Sequence, residues 1–169
     1  MKRLIDKEGI VKLVKKIRSA STDSIIRTTF IVGFPGETEE HFGELYDFVA
    51  ENELDRMGVF TYSPEDGTPA EKFDRPVSER IKHDRMDRLM NLQREIAFSK
   101  NNRMLNKILR VLVDEVDETG AAIGRTYADC PEIDQEIIIN DTAALPGNFY
   151  NVKIDRVDGY DLCGSIVRG

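Results

Sequence analysis

Apolar residues recur along this chain with two different periods, and the change falls near residue 104. Ile10, Val14 and Ile17 stand at helical spacing with Leu13 beside them and lysines between, which predicts an amphipathic helix over about residues 7–19. "SASTDS" ends it, and "IIRTTFIVG" follows, β-branched and apolar on both faces as a buried parallel strand would be. After "FPGE", Thr38 can cap a helix whose apolar positions are Phe42, Leu45, Phe48 and Val49. "RMGVFTYS" reads as a second short strand over about residues 57–62. The order helix, strand, helix, strand marks a βα unit of a parallel sheet, too short for a whole barrel and placed as the end of a larger α/β domain.

"SPEDGTPAEKFDRP" is dense in turn formers and reads as a loop. Residues 77–104 then form a long helical stretch with Val77, Ile81, Leu89, Leu92 and Ile96 near one face. Its many Arg, Lys and acidic residues read as a solvated surface with i,i+4 pairs. Beyond it, "ILRVLVDEV", "AAIGRTYAD", "EIIIN", "NFYNVKIDRV" and "LCGSIV" are five short strand candidates separated by Gly, Pro and Asp turns. Such spacing predicts a small antiparallel five-stranded β-barrel. The fold class is therefore α/β followed by all-β, with units at residues 1–76, 77–104 and 105–169.

Charge sharpens this division. The formal net charge of −7 is almost all in the second half, since residues 105–169 carry −6 and residues 1–104 carry −1. Asp114, Glu115, Asp117, Glu118, Asp129, Glu132, Asp134 and Glu136 crowd the first half of the barrel segment. That surface repels a phosphate backbone and attracts a basic partner. Tyr127, Phe149, Tyr150 and Tyr160 could stack on bases, but they read rather as core or turn residues. Hydrophobic residues at 40% and charged residues at 33% fit an ordinary globular protein. No apolar run approaches the ~18 residues of a membrane span, and the charged opening segment lacks the core of a signal peptide. A cytoplasmic location is expected. The two cysteines, Cys130 and Cys163, are too few and too far apart for a metal motif and read as reduced thiols.

One stretch invites chemistry: "FIVGFPGET", where a strand stops at a corner. Gly33 and Gly36 permit backbone angles or close approaches that side chains forbid. The first amides of the following helix could receive an anion or the polar edge of a ligand. No Gly-Lys-Ser/Thr follows, so the corner is not a P-loop, and two glycines do not make a dinucleotide fingerprint. A structural turn and a ligand loop both remain open. In parallel sheets ligands sit at the carboxyl ends of strands, which is where this corner lies.

"RTTFIVGFPGETEEHF", "LDRMGVFTYSPEDGTPA", "IKHDRMDRLMNLQREIA", "GRTYADCPEID" and "YDLCG" together resemble the radical-SAM methylthiotransferases across essentially the whole chain. "GFPGET" is shared widely among radical-SAM enzymes. The longer combination resembles the branch that methylthiolates an aspartate of a small-subunit ribosomal protein. The resemblance implies the last part of a partial TIM-like radical-SAM barrel, a connecting helix and an antiparallel TRAM barrel. It implies that Gly33, Phe34, Pro35, Gly36 and Glu37 lie near bound S-adenosylmethionine, with Tyr62 and Ser63 at the same mouth; Arg27 belongs to the pattern without an assigned direction. The implied partner is a basic small-subunit ribosomal protein meeting the acidic barrel. A tRNA-adenosine substrate and a stand-alone TRAM binding module are the alternatives.

The departures from the family matter equally. Its catalytic 4Fe-4S cluster is held by a Cys-x-x-x-Cys-x-x-Cys loop, and a second cluster by cysteines of another domain; neither set occurs in this sequence. Cys130 stands where the family often has Ala, and Cys163 where it often has Trp. The chain is thus expected to be a carboxy-terminal fragment, with no catalytic residue and no metal ligand of its own, and inactive alone. Anaerobic reconstitution with iron and sulfide is expected to leave it without stoichiometric cluster absorbance, because thiolates must anchor the iron.

Overall fold

The computed structural model of the protein describes residues 5–141 and 143–168, so the first four residues of the predicted first unit lie outside the described residues. The chain divides into two compact units, one up to Ile96 and one from Ala97 onward.

In the first unit, Asp6 caps α1 (Lys7–Ala20) by accepting the Gly9 amide at 2.8 Å. β1 (Arg27–Val32) and β2 (Arg56–Thr61) pair in parallel, in register from Arg27↔Arg56 to Val32↔Thr61. Parallel strands need a crossover, and α2 (Glu39–Asn52) supplies it. Thr38 is the cap of α2, as its sequence position suggests: its Oγ1 accepts the His41 amide at 3.2 Å, and His41 Nδ1 accepts the Thr38 amide at 3.3 Å. His41 thereby fills the place that Glu or Gln usually takes in a capping box. Phe48 of α2 meets Phe30 of β1 edge to face at 6.2 Å, inside a core that includes Val14, Val32, Phe42, Val49, Leu54 and Leu89.

Two expectations need correction here. The first strand is not buried on both faces: Ile31 is 47% exposed and its register partner Phe60 is 63% exposed. Helices cover one face of this sheet, and among the described residues the Ile31–Phe60 face is open. The long helix α3 (Glu79–Asn102) buries Leu89 and Ile96 as read, but Lys82, Arg85 and Gln93 are buried with them. Positions 82, 85, 89, 93 and 96 form one helical stripe, so the charges at 82 and 85 face inward rather than a solvated surface. Polarity alone could not show this, because it says nothing about which partner waits opposite. Between β2 and α3 the loop folds one short 3-10 helix, Pro69–Lys72.

The second unit is a closed barrel in the order β3 (Ile108–Val116), β4 (Ala122–Arg125), β5 (Ile137–Ile139), β7 (Asp161–Ile166), β6 (Phe149–Asp158). All five strand candidates are strands. They are not all antiparallel: β5 and β7 run parallel, from Ile137↔Leu162 to Ile139↔Gly164, and this pair closes the barrel. Bulges after Val113 and Ile154 increase the bend that closure needs. Inward residues Val111, Val113, Ile137, Ile139, Val152, Ile154 and Leu162 fill the interior.

Gly124 and Gly164 sit where strands approach most closely. A Cβ at Gly124 would collide with the Leu112 carbonyl oxygen, and one at Gly164 with that of Lys153. Gly124→Ala is expected to lower stability by about 2 kcal/mol, read as a lower urea midpoint with an unchanged m value. Thr38→Ala removes the cap of α2, and its expected cost is about 1 kcal/mol in the same measurement.

Candidate functional site

The corner after β1 turns on two left-handed glycines, Gly33 at φ +77° and Gly36 at φ +85°. Only glycine takes such angles without strain. Three of its amides are bonded within the protein. Gly33 N–H donates to Glu37 Oε1, Gly36 N–H to the Arg75 carbonyl and Glu37 N–H to the Phe34 carbonyl, each at 2.9 Å. The Thr38 and His41 amides are taken by the capping box. These bonds take the Gly33, Gly36, Glu37, Thr38 and His41 amides out of the set that could receive an anion. The corner also places side chains at two spaces.

Those side chains divide between two spaces. Phe34, Tyr62, Ser63 and Phe73 line one end of a cavity of about 1490 Å³ that runs along β1 and α1, past Thr28 and Thr29, to Ile10 and Ile26. Arg27 also lines it. Gly33, Pro35 and the other side of Tyr62 line a smaller recess of about 360 Å³. Gly36 and Glu37 border neither and serve the loop itself. The Phe34 ring meets Tyr62 at 5.1 Å and Phe73 at 5.9 Å, both edge to face, so the three rings form one wall.

Sequence reasoning missed the groups behind this wall. Arg85 Nη1 lies 2.7 Å from Glu37 Oε1 and 3.3 Å from the Glu37 carbonyl. Lys82 Nζ donates to the Tyr62 carbonyl at 2.8 Å and to Glu79 at 2.7 Å, and sits 5.6 Å from the centre of the Tyr62 ring. Nearby, a hydrogen bond from Arg88 at 2.7 Å, aided by Arg85, holds the Glu39 carboxyl below the usual range. The spacing of Lys82 and Arg85, three apart and in line with Leu89, was the one available signal.

The Phe34 end of the larger cavity has groups that could receive a nucleoside. This end has an aromatic wall for a flat base with the Ser63 hydroxyl beside it, and Tyr62 Oη is buried without a hydrogen-bond partner among the described residues. An iron–sulfur cluster does not suit this chain's donors. Cys130 is exposed and Cys163 buried, both belong to the barrel, and no group of three or more His, Cys, Asp or Glu among the described residues could hold a metal ion.

On the barrel, the acids crowded in sequence separate by type. Asp117 Oδ1 accepts the Thr119 hydroxyl and the Thr119 and Ala121 amides, and the Thr119 hydroxyl bond foremost holds its carboxyl below the usual range. Asp129 accepts the Thr126 amide and hydroxyl, Asp134 the Cys130 amide, and Asp114 pairs with Arg125 at 3.0 Å. Glu115, Glu118, Glu132 and Glu136 are exposed. The reading of the aromatics as core or turn residues needs one amendment. Tyr127 is 79% exposed in its turn, but Phe149 is 57% exposed on a strand, with the Arg110 guanidinium 4.5 Å from its ring centre.

No helix among the described residues is long and apolar enough to cross a membrane. Residues 107–167 match the family model described as TRAM domain. The chain is also similar to proteins named ribosomal protein uS12 methylthiotransferase RimO. That of Chromobacterium violaceum is 46% identical over 97% of this chain and 38% of its own length. That of Vibrio cholerae is 47% identical over 99% of this chain and 36% of its own, and that of Desulforamulus reducens 45% identical over 99% and 38%. The chain thus spans little more than a third of the length of these relatives. Over nearly its whole length the chain is similar to RimO-like methylthiotransferases, and residues 107–167 match the TRAM domain model.

Proposed function

We propose that the chain works as part of a radical-SAM methylthiotransferase that methylthiolates an aspartate of a small-subunit ribosomal protein, in the cytoplasm. The observation that carries this reading is the similarity to uS12 methylthiotransferases over 97–99% of the chain. In this reading the β1–α2–β2 unit is the last part of a partial TIM-like barrel, and its open sheet face is the barrel's interior side. The units run over residues 1–76, 77–104 and 105–169.

S-adenosylmethionine, once bound, supplies the radical chemistry, with clusters ligated by residues other than those of this chain. This chain's own part is to bind and to position. Phe34 and Tyr62 give the cofactor an apolar wall that excludes water. Tyr62 Oη and Ser63 offer hydrogen bonds, while Gly33, Pro35, Gly36 and Glu37 hold the corner that carries Phe34. With no suitable cluster ligands, the chain alone is inactive. The barrel receives the basic ribosomal protein. Four of its crowded acids are engaged in turns or with Arg125, so the exposed glutamates Glu115, Glu118, Glu132 and Glu136 carry the attraction.

The exposed Arg110–Phe149 pair favours a second reading, a tRNA-adenosine substrate or a stand-alone RNA-binding barrel, since such pairs can stack on bases. Titrating the chain against the small-subunit ribosomal protein and against tRNA at two salt concentrations separates the two. The expected result is protein binding that weakens with salt, because surface charges are screened over about 8 Å at physiological ionic strength. Tight tRNA binding without protein binding would overturn the ribosomal-protein assignment.

A further inference from the structure

Two cations stand in the core-facing stripe of α3, where helix packing alone would favour apolar side chains. Lys82 is 6% exposed and Arg85 4% exposed. Burying a charge is costly unless it is paired and hydrogen-bonded, so the partners show what the cost sustains. Lys82 Nζ reaches the Tyr62 carbonyl, just past the end of β2. Its stem packs on Gly33, just past the end of β1, so closely that a Cβ there would collide with Lys82 Cγ. Arg85 holds Glu37 through its carboxylate and its carbonyl, and the same Glu37 oxygen accepts the Gly33 amide. Both strand-end segments that carry the aromatic wall are thus tied to one helix, through two residues one turn apart.

We propose that Lys82 and Arg85 are positioning residues for S-adenosylmethionine: they fix the Phe34 and Tyr62 rings in their 5.1 Å edge-to-face arrangement and thereby set cofactor affinity. The inference rests on the cofactor reading given above. Neither residue touches the cofactor in this scheme. Their effect falls on binding.

The test uses the complete chain, isotopically labelled, titrated with S-adenosylmethionine while amide exchange is followed residue by residue. Lys82→Met keeps the stem against Gly33 and removes only the charge, so it preserves folding better than Arg85→Gln. Exchange at Val111 and Ile154 in the barrel serves as the control for unrelated damage. Lys82→Met is expected to weaken cofactor binding about tenfold and to speed exchange at Gly33 and Tyr62 about tenfold, the scale of one lost hydrogen bond to a charged group. Arg85→Gln is expected to speed exchange at Gly33 by more, because it leaves the Glu37 carboxylate buried without its cation. Lys82→Arg, which restores a cation, is expected to recover much of both. Wild-type exchange at Gly33 and Tyr62 in a folded Lys82→Met variant would overturn the proposal. So would faster exchange with unchanged affinity. Failure of the unsubstituted chain to bind the cofactor would count against the cofactor reading itself, and the exchange comparison would still decide whether the two residues hold the corner.

Discussion

The ion pair between Arg85 and Glu37 is the contact on which the corner after β1 depends. Arg85 is almost fully buried and the Glu37 side chain is 14% exposed, so water screens the pair little. Removing one partner from such a pair costs about 3–5 kcal/mol, because the other charge stays buried. That is a large fraction of a domain's net stability. The pair also orders the chain locally. Glu37 can accept the Gly33 amide only while the corner keeps its two left-handed glycines, and the corner keeps its shape while Arg85 keeps Glu37 in place. Phe34, between the glycines, is carried into the aromatic wall as a result.

The barrel is held by a different kind of constraint. Closing five short strands demands close backbone approach, and Gly124 and Gly164 allow it opposite the Leu112 and Lys153 carbonyls. The parallel β5–β7 pair then joins two strands far apart in sequence, and Glu136, just before β5, donates its amide to Asp161 at the start of β7. Several aspartates that make this segment acidic are therefore architectural. A short carboxylate reaches back to its own turn's amides, whereas a longer glutamate extends into solvent. Net charge describes the field around the barrel, and side-chain length decides which acids can meet a partner.

Function in this reading divides along the same line. The first unit places an aromatic wall, with a tyrosine hydroxyl that lacks a hydrogen-bond partner among the described residues, beside a large cavity, and the second presents an acidic surface with an exposed Arg–Phe pair. A cofactor wall must be rigid and a partner surface must be accessible. Buried ion pairs serve the first need and exposed glutamates the second.

The order of elements was legible from the sequence alone. Apolar spacing placed α1 and α3, β-branched runs placed β1 and the barrel strands, and Thr38 marked the start of α2, because these signals depend on neighbours a few residues away. The corner was legible too, since Gly33 and Gly36 interrupt an apolar run. Tertiary structure alone decided that Lys82 and Arg85 face inward, since their partners Tyr62 and Glu37 lie 20 and 48 residues away. It alone decided that the Gly33, Gly36 and Glu37 amides are taken, that β5 and β7 run parallel, and that the Ile31–Phe60 face is open among the described residues. Local sequence fixes the period of an element. What each face meets is set by residues distant in the chain, and that is where the reading of charged and apolar positions had to be corrected.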